Sequence, residues 1–110
     1  MSPAHISEKP LTAQQRLRNL REQVNQRYPG VRAVQADSAT RVGEDRYELA
    51  PRNSLYVRAP LTPNGKPRIG GWAWRYRRSP RDPWSTSPNM NGVLRVILRL
   101  AAEAGHTPKH

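Results

Sequence analysis

Large apolar side chains are scarce in this 110-residue chain, and this scarcity limits any core that it can form. Leu, Ile and Val together supply 19 of the 110 residues, and Phe is absent. That share lies below the roughly 20% that, combined with a high net charge, is typical of disordered chains. We therefore predict one small domain with a thin hydrophobic core.

The charge balance is strongly basic. Nineteen Lys and Arg oppose eight Asp and Glu, which gives a formal net charge of +11. Such an excess indicates a polyanionic partner, with DNA and RNA as the first candidates. The chain contains no Cys, which excludes disulfides, thiol nucleophiles and Cys-ligated metal or iron–sulfur sites.

The sequence shows neither a targeting signal nor a membrane segment. Residues 1–10 lack the apolar run of a secretory signal. The longest apolar-rich stretch, residues 93–104, is interrupted by charges and falls short of the roughly 20 residues that a spanning helix needs. We expect an intracellular protein, cytoplasmic or otherwise, that does not contact a membrane.

A first helix is predicted near the N-terminus. Thr12 and Gln15 have the spacing of a capping box, so the helix should begin near Ala13 and end before Pro29-Gly30. Its apolar residues recur every three or four positions and form one stripe: Ala13, Leu17, Leu20, Val24 and Tyr28.

A second helix is predicted near the C-terminus. It should run from Met90 or Val93 to Ala104, with Gly105 as its stop. Its wide apolar arc is typical of a helix that packs on a core.

Short strand-like runs lie between the helices, at residues 31–36, 46–50 and 54–59. Residues 79–91 contain three prolines and are interpreted as an irregular connection. The predicted fold class is α+β: a small single domain in the order α-β-β-β(-β)-α, with two helices packed on one face of an antiparallel sheet. Residues 12–105 would form the domain, with flexible tails at 1–11 and 106–110.

A β-hairpin is predicted around Asn64-Gly65, the strongest turn signal in the chain. A two-residue turn there, without a bulge, would place Val57 opposite Trp72 and Leu55 opposite Trp74. The apolar faces of the two strands then coincide, and the second hairpin strand would be the fourth of the sheet.

The other face of this hairpin would be basic, because side chains alternate between faces along each strand. The densest basic run, residues 66–81, contains six cations and no acid. These cations could contact phosphates or could simply form a solvated surface, and the sequence is compatible with both interpretations. The candidate nucleic-acid-binding residues are Arg52, Tyr56, Arg58, Lys66, Arg68, Arg75, Arg77, Arg78 and Arg81.

The aromatic residues of the hairpin have two expected roles. Trp72 and Trp74 should be buried, because few other large side chains are present to fill the core. Tyr56 is the better candidate for stacking on a base, because it lies among the arginines.

The predicted function is therefore non-catalytic nucleic-acid binding by an Arg-rich hairpin. Arginines 52, 58, 75 and 77 would follow phosphates, and Lys66 and Arg68 would reach into a groove. About six such contacts imply a slope of log K against log salt near −5 on B-DNA.

A protein-interaction or assembly module is the alternative, for example a component of a virus particle or of a multi-subunit complex. A thin core often implies that oligomerisation or binding completes it. The second helix would offer this surface to a homo-oligomer or another protein through Val93, Leu94, Ile97, Leu98 and Ala101.

Catalysis has little support in the sequence. All three histidines lie in the predicted tails, at His5, His106 and His110. The acids between residues 37 and 48 match no metal-binding motif, and no phosphate-binding loop, nucleophile elbow or dinucleotide motif is present. We predict no enzyme, no catalytic residue, no metal site and no cofactor; a metal-assisted nuclease using these acids is the third hypothesis.

The α-β-β-β-α order, with Gly92-Val93-Leu94-Arg95-Val96-Ile97-Leu98 opening the last helix and Ala104-Gly105 closing it, resembles HicA-type toxins. These are small RNA-cleaving proteins with a double-stranded-RNA-binding-like fold. Their catalytic His on the first strand has no counterpart between Val31 and Leu49. The resemblance therefore implies a fold but not ribonuclease activity, and it contains no motif that assigns the chain to that family.

Overall fold

The computed structural model describes residues 13–37, 44–60 and 73–109. Two helices enclose five strands in chain order. The elements are α1 (Ala13–Arg27), β1 (Arg32–Asp37), β2 (Glu44–Ala50), β3 (Asn53–Arg58), β4 (Trp74–Arg77), β5 (Ser85–Ser87) and α2 (Met90–Glu103). The strands form one antiparallel sheet in the order β1-β2-β3-β4-β5, so the predicted fold class is confirmed.

Helix α1 forms where the apolar stripe predicts it. Leu17, Leu20 and Val24 are buried, while the residues between them are exposed or half-buried. Spacings of three and four residues place these three side chains on one face, which packs on the core. The helix ends before Pro29-Gly30, as predicted, whereas Thr12 of the capping box lies outside the described residues.

Helix α2 has a cap at each end. The side chain of Asn89 accepts a hydrogen bond from the Gly92 N–H at 3.0 Å, which satisfies a donor of the first turn. At the other end, Gly105 has a φ of 90°, a left-handed conformation that glycine adopts without steric penalty. The predicted start at Met90 and stop at Gly105 are confirmed.

The core lies between the helices and one face of the sheet. Its buried residues from the helices include Leu20, Val24 and Ile97, and those from the sheet include Tyr47 and Leu55. Trp74 is only 5% exposed, which confirms its predicted burial, and Trp72 lies outside the described residues.

The register between β3 and β4 differs from the predicted one. Val57 pairs with Tyr76, and Arg58 pairs with Arg75, so the predicted pairing of Val57 with Trp72 is wrong by four residues. An unbulged two-residue turn at Asn64-Gly65 cannot produce this pairing, and the residues that connect the two strands lie outside those that the structure describes. Because the error is an even number of residues, every side chain keeps its predicted face.

The interpretation of residues 79–91 as irregular throughout is wrong for Ser85–Ser87, which forms β5. Its pairs with β4 are Trp74 with Ser87 and Tyr76 with Ser85. Helix α2 approaches this strand closely at Gly92, where a Cβ would overlap Ser87 Oγ and lie 3.1 Å from Ser87 Cβ. Glycine therefore allows α2 to pack on the edge of the sheet.

Two contacts join the C-terminal residues to the domain, and the sequence did not predict them. The part-buried His106 places Nε2 2.5 Å from the Leu49 carbonyl oxygen, to which it can only donate. The Lys109 N–H donates to the Arg27 carbonyl at 2.7 Å. These contacts lie within the segment that we expected to be a flexible tail.

A buried carboxylate lies on the helix-facing side of the sheet. Asp45 is 1% exposed, and its Oδ2 lies 3.1 Å from Arg21 Nε without forming a well-aligned hydrogen bond. Burial raises the pKa of Asp45, and the Arg21 cation only partly offsets this.

Burial and the neighbouring Asp45 also raise the pKa of Tyr47, whose hydroxyl is buried without a hydrogen-bond partner in the described structure.

Asp45→Asn should therefore change how stability depends on pH. A carboxyl whose pKa is raised by folding contributes stability that is present below its unfolded pKa of about 3.9 and is lost as pH rises through the folded pKa. We expect Asp45→Asn to gain stability relative to the wild type as pH rises from about 4 to 7. Urea unfolding at several pH values measures this difference, and a difference that stays constant with pH contradicts it.

Candidate nucleic-acid interface

The face of the sheet opposite the helices carries four of the nine residues of the predicted hairpin site: Tyr56, Arg58, Arg75 and Arg77. Residues of β3 and β4 alternate, so that Leu55, Val57 and Trp74 point to the core. Tyr56 and Arg77 form a cross-strand pair on the other face, and both are half-buried. Strand alternation thus places the arginines and Tyr56 together, as the sequence predicted.

Two arginines lie directly opposite each other on this face. The register pairs Arg58 of β3 with Arg75 of β4. Like charges at directly opposed positions destabilise a sheet, because their side chains are close neighbours. Within the described residues, Arg75 and Arg77 have no carboxylate at ion-pair distance. The positive charge of these two half-buried arginines is therefore not offset by a carboxylate of the described residues.

Trp84 adds an aromatic ring to the face. The Arg77 guanidinium carbon lies 4.0 Å from the centroid of a Trp84 ring, and that of Arg58 lies 4.8 Å from it. Both distances are within the range of cation–π contacts. The chain between β4 and β5 therefore folds back over the arginines, and the contacts hold two of the guanidinium groups in place.

Carboxylates neutralise part of this face. Arg58 Nε lies 2.7 Å from Glu44 Oε1, and the Glu44 side chain is largely buried. On β2, Arg46 Nη2 lies 3.2 Å from Glu48 Oε2. Arg58 is thus less available to an external anion than we predicted, because it already has an acidic partner.

The remaining predicted site residues divide between one end of the sheet and the undescribed segment. Arg52 is exposed in the β2–β3 turn with a φ of 65°, a conformation that few side chains other than Gly and Asn adopt readily. Arg78 contacts this end of β3, through the Ser54 carbonyl at 3.3 Å and the Asn53 side chain. Arg81 is exposed. Lys66 and Arg68 lie outside the described residues.

The surface predicted for a protein partner is mostly internal. Val93, Ile97 and Ala101 are each 0% exposed because they pack into the core of this same chain. Only Leu94 and Leu98 of the five predicted residues remain half-exposed. The wide apolar arc of α2 is explained by burial against both α1 and the sheet. No helix within the described ranges is both long and apolar enough to cross a bilayer.

The acids of β2 do not converge. Glu44 and Asp45 are adjacent in the strand and point to opposite faces of the sheet, where each contacts a different arginine. In the part of the chain that the structure describes, no three His, Asp or Glu side chains form a group that could hold a metal ion. The geometry thus gives no support to the hypothesis of a metal-assisted nuclease.

Comparison with known proteins gives no assignment: no family model, curated protein or solved structure matches this chain. The resemblance to HicA-type toxins thus gains no support from relatives. Any proposal about function therefore depends on the geometry of the described residues.

Proposed function

We propose that this protein binds nucleic acid without catalysis, through the face of the sheet that the helices leave uncovered. The observation that carries the proposal is that Arg75 and Arg77, which share this face of β4, have no carboxylate at ion-pair distance within the described residues. Glu44 already offsets the charge of Arg58, so the positive charge left on this face belongs to Arg75 and Arg77. A phosphate backbone supplies regularly spaced negative charge at such a surface.

Different residues would make different contacts. Arg75 and Arg77 lack carboxylate partners in the described structure, and they would contact phosphates near the centre of the face. Arg52, Arg78 and Arg81 would extend the contact past the β2–β3 turn. Tyr56 is half-buried beside Arg77, and its ring is available for stacking on an unpaired base.

The salt dependence of binding tests the proposal. Five phosphate contacts, from arginines 52, 75, 77, 78 and 81, predict a slope of log K against log salt of about −4.5 on B-DNA. Titration of a fluorescent duplex at several salt concentrations measures this slope. A slope near zero, or no binding at low salt, contradicts the proposal.

An assembly module has less support than nucleic-acid binding. A protein partner on α2 would have to use Leu94 and Leu98, because the other predicted contact residues are buried in the core. Two half-exposed leucines are a small fraction of the about 20–30 residues that each side of a standard interface contributes.

A further inference from the structure

A cleft of about 330 Å³ opens beside the proposed interface, between α2, the paired strands β3 and β4, and the loop that leads to β5. Its apolar lining comes from the sheet and the helix together: Leu55, Tyr76, Val96 and Leu100. Leu55 and Leu100 of this lining also belong to the core, and the cleft lies next to two of the proposed phosphate contacts, Arg77 and Arg78. Its volume is at the lower end of the range for small-molecule sites, roughly 300–1,000 Å³.

The rim of the cleft is cationic. Arg77, Arg78 and Arg99 line it, against the single carboxylate of Asp82. Arg99 has only a long contact of 3.9 Å with Glu103, and its side chain is 68% exposed. An apolar wall beneath an excess of guanidinium groups fits a ligand that joins a flat apolar group to an anion.

Arg77 contributes both to the cleft and to the face of the sheet opposite the helices. Its guanidinium carbon stacks on Trp84 at 4.0 Å, and the same side chain lines the cleft. Its Nε is buried and has no hydrogen-bond partner in the described structure, while Nη1 donates to the Asp82 carbonyl at 3.4 Å. The side chain therefore has an unsatisfied donor between the two surfaces.

We propose that the cleft holds one nucleotide of a bound single strand, with the base against the apolar wall and its phosphate at Arg78 and Arg99. This inference rests on the proposed function and adds a preference to it. A base in a duplex is stacked and paired, so it would have to flip out to enter the cleft. Unpaired strands should therefore bind more tightly than duplexes of the same length.

Filling the cleft tests the inference. Val96→Trp should weaken binding of a short oligothymidylate about tenfold, because it displaces the base, while binding of a mixed-sequence duplex stays within about twofold. Asn91→Trp is the matched control, since it adds the same ring at an exposed site of α2 away from the cleft. It should leave both affinities unchanged.

A second pair of variants keeps the test valid if Val96→Trp does not fold. Arg99→Gln and Arg95→Gln each remove one exposed charge from α2, but only Arg99 lines the cleft. Arg99→Gln should weaken single-strand binding about fourfold, and Arg95→Gln should have little effect. Equal effects of the two variants would overturn the inference.

Small ligands test whether the cleft recognises the base. Adenosine monophosphate should shift the methyl resonances of Val96 and Leu100, whereas ribose phosphate, which lacks the base, should not. If single strands and duplexes bind the wild type and the cleft variants equally well, the cleft inference fails and the proposed function stands. If neither form binds the wild type, both fail.

Discussion

Replacing both Arg75 and Arg77 with glutamate is expected to weaken nucleic-acid binding about 100-fold at moderate salt. Each lost phosphate contact removes the release of about one counterion, and each introduced carboxylate repels the backbone. The slope of log K against log salt should become less steep by about two. Fluorescence titration over a range of salt concentrations measures both quantities.

Folding should survive this double substitution. Arg58 lies opposite position 75, so a carboxylate there replaces a like-charge pair with an opposite-charge pair. The loss of the Arg77 contact with Trp84 would cost about 0.5–1 kcal/mol, which the new pair partly offsets. Urea unfolding of the double variant should therefore give nearly the wild-type midpoint. Such a midpoint would show that its weak binding does not result from unfolding.

The control is a double substitution of Arg18 and Arg95 with glutamate. Both arginines are exposed on the helices, on the other side of the sheet, and the change in net charge is the same. We expect a much smaller loss of affinity, because these side chains do not face the bound strand. If the two double variants bind equally weakly, net charge alone explains binding and the proposed face is wrong.

Ile97→Ala is expected to reduce the free energy of unfolding by about 3–4 kcal/mol. Ile97 is 0% exposed and belongs to the core that α2 shares with α1 and the sheet. Truncation removes buried methyl groups and leaves a cavity, because the surrounding side chains relax only partly. A domain of this size has a total stability of about 5–15 kcal/mol, so the loss is a large fraction of it.

Urea unfolding tests this prediction. The midpoint should fall while the slope with urea concentration stays constant, and Ile97→Val should cost only about 1 kcal/mol. Leu98→Ala is the matched control, because the neighbouring Leu98 is half-exposed on the same helix. An equal loss for Leu98→Ala would show that burial is assigned to the wrong face of α2.

The helices could be predicted because their signals are local. The spacing of Leu17, Leu20 and Val24 defines one helical face, and Gly105 supplies a left-handed stop. Tertiary contacts did not have to be known for either prediction. The apolar periodicity of α2 did not show that residues of the same chain cover its apolar arc. Periodicity indicates which residues are buried but not what covers them.

The register of β3 with β4 could not be predicted, because it depends on which residues of the connection form the turn. Asn64-Gly65 favours a tight turn at those two residues, but the pairing of Val57 with Tyr76 is not the one that an unbulged two-residue turn there would give. Strand β5 lacks any hydrophobic alternation, since it reads Ser-Thr-Ser between prolines. Its pairing is determined by its neighbour β4 and by the close approach of α2 at Gly92.

The site was only partly predictable for the same reason. Alternation alone placed Tyr56 with the arginines, and this part of the interpretation survived the error in register. The ion pair of Arg58 with Glu44 depends on the pairing of β2 with β3, which no short motif in the sequence specifies. The contact of Trp84 with Arg77 depends on the path of the loop between β4 and β5, and no local pattern in the sequence specifies that path.

The two edges of the sheet are unequal. Strand β5 has three residues and lies between Pro83 and Pro88, neither of which can donate a backbone hydrogen bond, so this edge offers almost no template for a foreign strand. Strand β1 has six residues and, within the described ranges, no neighbour on its outer side. Among the described strands, added strands would therefore pair more readily with β1 than with β5. Two copies joined there about a two-fold axis would use up that side, so such growth ends at a pair and cannot build a fibre.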